Sequence, residues 1–299
     1  MAIISISRGT FSGGKALADR IAGRLGYPCL GREEVLLEAG KAYGISEREL
    51  TEAVNQPPPF WQQVPGRRIA YLMCLTAALL NRAQDGSLVY HGHAGHFLLS
   101  GISHVLRVRV IADMEYRIKA AMERMNLKRD EAIVYIDRVD KERIKWTRFL
   151  YGIEWGDPSQ YDVVLNLERM TLEGASQAIV SMAQLDDFRV TPQSQKAFED
   201  LKVTSGVWAA LVRDERTKAA SVQVIANSGV VTITGKASAS KVVDAIPMVA
   251  GQVPGVKEIK NEVGILVGVQ TPPHPDLKRY DALREMGGNR VSFCFEIFD

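Results

Sequence analysis

Over the first 185 residues, short apolar runs alternate with longer segments whose apolar positions recur every three to four residues. The runs Ala2–Ser7, Ser87–Tyr90, Val105–Ala112 and Val163–Leu167 read as strands, and the segments between them as helices. Alternation of this kind predicts an α/β unit, a parallel sheet wrapped by helices. The stretch "NQPPPFWQQVPG" (Asn55–Gly66) interrupts the pattern, because its proline run cannot be helical and reads as a stiff surface loop.

The texture changes after a polar, aperiodic stretch at 186–198, which reads as a linker. Val203–Asp214 has helical spacing. "ASVQVIANSGVVTITG" (Ala220–Gly235) holds two alternating runs around Asn227-Ser228-Gly229, a hairpin signal. Ala237–Gln252 is helical again, and Val256–Leu266 alternates. Helix, strand, strand, helix, strand describes a small α+β module. In the tail, Val291, Phe293, Phe295 and Ile297 share one face of a strand. Such a strand needs an edge to pair with, and it is expected to dock on one of the two domains. The expected division is therefore 1–185, a linker at 186–198, a second domain at 199–268 and a tail at 269–299.

The first apolar run ends in "SRGTFSGGKALA". The spacing of Gly9, Gly14 and Lys15 fits G-x-x-x-x-G-K, the loop whose amides cradle phosphates, placed as it should be between a strand and a helix. Ala16 stands where a magnesium-binding hydroxyl is usual. That loss matters less than it first suggests, since magnesium keeps several waters and is held largely by the substrate's phosphates. Formal net charge is only +2, so no bulk field calls for a nucleic-acid partner. The largely apolar run Ile69–Leu80 falls short of the roughly 20 residues of a membrane span. No signal peptide is read at the N-terminus, and Cys29, Cys74 and Cys294 form neither a metal spacing nor a disulfide framework. Together these favour the cytoplasm. His91, His93 and His96 in "HGHAGH" have no cysteine or acidic partner nearby in sequence, so the reading assigns no metal.

Four blocks in order, "ISRGTFSGGKALADRIAGRLGYPCLGREEVL", "SLVYHGHAGHFLL", "RVRVIADMEYRIKAAMERM" and "YIDRVDKERIKWTRFLYGIEWGDPSQYDVVLN", resemble the cytidylate kinase-like family, a branch of the nucleoside monophosphate kinases. The resemblance implies a P-loop kinase-type sheet, ATP with Mg2+ as cofactors, and transfer of the γ-phosphoryl group to a small acceptor such as CMP. Residues 203–263 resemble a BON domain, by Val231-x-Ile233-x-Gly235, the turn Val253–Val256 and Asn261. That implies a small ligand, a cation or lipid as its partner. A homo-oligomer is also expected.

From the loop, Arg8, Gly9, Ser12, Gly13, Gly14, Lys15 and Ala16 are expected on phosphate; the resemblance implies Arg117 and Arg124 beside the donor, and Arg138 is expected there as well. The family's lid pair falls on Asp140 and Arg143, and its acceptor-binding positions on Arg32 and His93. Between Arg107 and Arg148 lie twelve basic and eight acidic residues, and Arg138, Lys141, Lys145 and Arg148 share one helix face. That stripe is read as the closing lid, against the usual fate of a solvated face. Departures at Ala16, at Gly31 where an aspartate is usual, and at His93 where an arginine is usual support a rival reading. In it the chain is a nucleotide sensor that signals through the BON domain. A third reading is a binding adaptor built around the BON module.

Overall fold

The computed structural model describes residues 2–46, 48, 50, 67–83, 87–92, 95–266, 268–271, 278, 281, 285 and 290–293. The proline stretch Asn55–Gly66 and His93 lie outside them. Strands β1 (Ile3–Arg8), β2 (Cys29–Gly31), β3 (Leu88–Gly92), β4 (Val105–Ile111) and β5 (Val163–Asn166) form one parallel sheet in the order β2-β3-β1-β4-β5. β1 is therefore central, and the order reverses on its two sides. The crevice beyond its C-terminal end is where open α/β sheets bind ligands.

β1 is buried on both faces, so it reads as a continuous apolar run with serines spaced through it. Ile4 and Ile6 pack with Leu17 and Ile21 of α1 (Gly14–Leu25) and Ile179 of α7 (Leu172–Ala183). On the other face, Ile3 and Leu88 meet α2 (Arg32–Tyr43) and α3 (Arg67–Arg82). Among the described residues this unit also holds α4 (Gly95–Leu98), α5 (Met114–Met125) and the long α6 (Arg129–Tyr151). β2 was not expected. With three residues it is too short to show a period, and its pairing with Val89–His91 defines it.

The stretch read as a linker is helical from Pro192. α8 (Pro192–Arg213) begins with a capping box, Thr191 Oγ1 accepting from the Ser194 amide at 3.1 Å, and proline at its first position. Its first turns are polar, which hid the helix from a periodicity reading. α8 serves two cores. Phe198 and Ala209 pack with α2 and α3, while Val207, Trp208 and Leu211 pack against β6 (Ser221–Asn227), β7 (Val230–Ala237) and α9 (Ser240–Ala250). β6 and β7 are antiparallel, joined where Ser228 and Gly229 both take positive φ, and β8 (Glu258–Ile265) lies parallel to β7. Of the tail strand only Arg290–Phe293 (β10) is described, and Phe295 and Ile297 lie outside the described residues. Among the described residues β10 pairs in parallel with β9 (Gly268–Thr271) in a two-stranded sheet.

Gly235 explains one mark of the second unit. Its φ is +132°, and a Cβ there would sit 2.2 Å from the Ser221 carbonyl oxygen on the facing strand. Gly235→Ala is expected to cost about 2 kcal/mol, combining backbone strain with a clash that no side-chain rotation relieves. Urea unfolding of the variant checks this.

Candidate active site

At the end of β1 the chain turns through Gly9–Gly13. The Gly9 amide donates to the Val110 carbonyl at 3.3 Å, and Phe11 (φ 60°) and Gly13 (φ 85°) take left-handed backbone. Ser12 braces the turn: its amide donates to the Gly9 carbonyl at 3.2 Å, and its hydroxyl to the same oxygen at 3.0 Å. The Ser12 groups expected on phosphate are thus spent inside the loop. The amides that open α1 are different. Its N-cap is Gly13, which has no side chain to accept from them, and its first turn holds no acidic residue. An uncapped helix start presents N–H donors and a positive dipole end to an anion.

Arg8 lies across this helix start. A Cβ on Gly14 would fall 2.7 Å from Arg8 Cβ, so glycine is needed for the side chain to cross. Arg8 Nε is buried with no hydrogen-bond partner among the described residues. Arg143 donates to the Arg8 carbonyl at 3.3 Å and to Thr10 Oγ1 at 2.9 Å. Burial, offset by Asp140 and reinforced by the positive charges of Arg8 and Arg32, pushes the Arg143 guanidinium down to about 10. Burial also lowers Arg32, with Arg8 adding to the effect. Three arginines from β1, α2 and α6 therefore feel one another at the crevice. Such a gathering is costly alone and favourable around a multiply charged anion.

Asp140 is the counter-charge. It accepts from Thr10 Oγ1 at 2.8 Å and is paired with Arg117, whose Nε donates to the Thr10 carbonyl at 2.7 Å. Thr10, absent from the expected set, is the hub that ties α5 and α6 to the loop. Its only sequence signal was its place inside the phosphate motif.

The remaining expected residues scatter. Arg124 is exposed on α5. Arg138 stands over the Tyr135 ring at 5.6 Å, and Tyr135 in turn meets Phe11 of the loop. The basic stripe Arg138, Lys141, Lys145 and Arg148 faces solvent, with Lys141 paired to Asp137 and Arg148 to Glu154. The face of α6 that meets the loop carries Asp140 and Arg143 instead. Glu34, which could have replaced the aspartate missing at position 31, accepts from the Gly31 amide and caps α2. Lys15 pairs with Asp19 at 3.0 Å, both exposed.

Beside the loop, Trp155 and Tyr161 are buried, as packing residues should be. Trp155 Nε1 donates to Ser7 Oγ at 3.0 Å, and Arg109 stacks 4.5 Å over the indole. His96 lies 4.8 Å from the Tyr161 ring with both nitrogens unpartnered among the described residues. Burial, with Arg107 and Arg109 adding to it, pushes this imidazole down to about 3. Its folded value lies below the ordinary 6.5, so the neutral ring's contribution to stability is complete above pH 6.5 and is lost as pH falls toward 3. The expected loss is about 1.4 kcal/mol per pH unit. Urea midpoints between pH 7 and 5 should fall less steeply in His96→Gln than in the wild type, and equal slopes would contradict the assignment.

A P-loop between a central parallel strand and a helix, facing convergent arginines, is kinase-like geometry. The model of the cytidylate kinase-like family matches residues 3–169, more than half of the chain. The chain belongs to the cytidylate kinase-like family. The BON domain model matches residues 199–266. A cytidylate kinase from Ignicoccus hospitalis is 25% identical over 184 residues, covering 61% of this chain and 99% of that protein. One from Staphylothermus marinus is 27% identical over 176 residues, covering 58% and 91%. Among solved structures, shikimate kinase from Bacteroides thetaiotaomicron aligns at 11% identity with a TM-score of 0.39, covering 62% of this chain and 99% of that one. This cytidylate kinase-like protein is thus a kinase-type phosphotransferase unit followed by a BON domain. Among the described residues, no helix is long and apolar enough to cross a membrane.

Proposed function

We propose that the N-terminal unit binds ATP and transfers its γ-phosphoryl group to a small phosphorylated acceptor, CMP being the first candidate. The observation that carries this reading is the gathering of Arg32 and Arg143 with Arg8, which crosses the uncapped start of α1 with its Nε buried and unpartnered among the described residues. Lys15 and the first amides of α1 would hold the donor's phosphates. An open cleft of about 650 Å³ along α5, lined by Asp113, Tyr116, Met122 and Glu168, has the size of a small-molecule site; its Tyr116 hydroxyl lies near Gly13 of the loop, and it would take the donor base. Arg32 and Arg8, with His93 by its sequence position, would face the acceptor phosphate. ATP, bound with Mg2+, supplies the phosphoryl group. With alanine at position 16, the metal would be carried mainly by the nucleotide's phosphates and water. The chain's own part is to align the two phosphates and concentrate positive charge between them.

A coupled assay with ATP and a panel of monophosphates tests this, alongside thermal shift. A nucleotide at 100 times its Kd should stabilise the fold by about 2.7 kcal/mol. The absence of both turnover and a thermal shift with every nucleotide tried would refute it. A second reading, the nucleotide sensor, is favoured by α8, whose side chains belong to both cores. Nucleotide-dependent stabilisation without turnover, transmitted to protection of β6–β8 amides in hydrogen exchange, would select it.

A further inference from the structure

Asp19 on α1, Cys29 at the start of β2 and His91 in β3 come from three separate elements. One ligand atom of each nevertheless lies within 4.8 Å of the other two. Cys29 Sγ already donates to Asp19 Oδ1 at 3.6 Å. His91 is 5% exposed, and its Nδ1 is buried with no hydrogen-bond partner among the described residues. A buried imidazole nitrogen without a partner among the described residues is costly and calls for an explanation. Gly31 leaves room for the ring, since a Cβ there would stand 3.1 Å from His91 Cε1.

We propose that Asp19, Cys29 and His91 form a binding site for a borderline-soft divalent cation of the zinc class. The set offers one carboxylate oxygen, one sulfur and one imidazole nitrogen, the donors zinc takes. Magnesium prefers oxygen throughout, so this site is distinct in chemistry from a nucleotide's Mg2+. With bonds of 2.0–2.3 Å, tetrahedral ligand atoms stand roughly 3.5 Å apart. The widest pair must therefore close by about 1 Å. Asp19 is exposed and Cys29 half-buried, so side-chain rotation can supply that movement. Three protein ligands leave a fourth position for water. Without metal, burial and then Asp19 push the Cys29 thiol up to about 11, which keeps it protonated. A coordinated cation reverses this, and the thiol proton leaves to solvent as the metal binds. The Lys15 ammonium, 3.0 Å from Asp19 Oδ2, is the cation that now shares the carboxylate.

The test is a Co2+ titration of the reduced full chain, read by the thiolate-to-cobalt charge-transfer absorption, with Zn2+ displacement. One equivalent is expected to develop the band. Cys29→Ser, a near-isosteric change at a half-buried position, should abolish it. His91→Gln and Asp19→Asn should weaken binding by more than the roughly 10- to 100-fold that loss of an outer-shell partner costs. Cys294→Ser should keep the band, and circular dichroism should show each variant folded. Absence of the band in the wild type would overturn the proposal. So would a band that survives Cys29→Ser, or one that binds as tightly in His91→Gln.

Discussion

Lys15→Ala is expected to lower kcat for phosphoryl transfer by about 10²- to 10³-fold, the usual effect of removing one donor aimed at developing charge. The thermal midpoint should hardly move. The asymmetry follows from where the ammonium sits. Its partner Asp19 is four residues on along α1, and both side chains are more than half exposed. Exposed pairs at this spacing contribute about 0.3–0.5 kcal/mol, and lysine ahead of the acid is the weaker order. Alanine, a better helix former, recovers part of that. A polyphosphate offers charge-assisted bonds worth about 1.5–3 kcal/mol each, enough to draw the ammonium away from Asp19. Initial rates with ATP and the best acceptor, together with a melting curve, check both halves. Full activity in the variant would remove the phosphate loop from the mechanism, and a large loss of stability would mean that the ion pair is structural.

How far the sequence could be read depended on whether a feature was local. The β1–loop–α1 unit was legible because an apolar run, glycines and a lysine fall within about fifteen consecutive residues. The hairpin around Ser228-Gly229 and the order of elements in the second unit were legible for the same reason. What failed was direction. Periodicity placed Arg138, Lys141, Lys145 and Arg148 on one face of α6 but could not say which way it pointed. The usual rule sends the charged face outward, and for the stripe that rule holds. The inner face is charged as well, because α6 packs there on a polar loop and not on a core. Convergence across the chain was illegible too. Thr10 and Asp140 are 130 residues apart, and only the folded sheet brings them to 2.8 Å. The Cys29–His91 approach is of the same kind. Read along the chain, His91 had only His93 and His96 as companions. In space it meets a cysteine and an aspartate from other elements, while His96 turns toward Tyr161.

Asp140→Ala should destabilise the N-terminal unit by about 3 kcal/mol, toward the lower end of what breaking a buried charge pair costs. Arg117, Asp140 and Arg143 are 12%, 19% and 17% exposed, so water screens them only partly. Removing the carboxylate strips Thr10 Oγ1 and Arg117 of an acceptor and leaves Arg117, Arg143 and Arg8 clustered with Glu33 as the remaining carboxylate that acts on Arg143. Asp140→Asn separates charge from geometry. It can still accept from Thr10 but cannot neutralise the arginines, so it should lose most of the same stability. A purely hydrogen-bonding role predicts that it loses little. A second measurement decides whether the cluster is a phosphate site. If Asp140 stands in for part of a ligand's charge, inorganic phosphate should restore more stability to Asp140→Ala than it adds to the wild type, in urea midpoints at equal ionic strength with chloride as control. Equal gains in both proteins would mean that the arginines serve α6 docking alone. A double-mutant cycle with Arg117→Ala then apportions the pair. Once the cation that Asp140 neutralises is gone, deleting the carboxylate should cost measurably less than it does in the wild type.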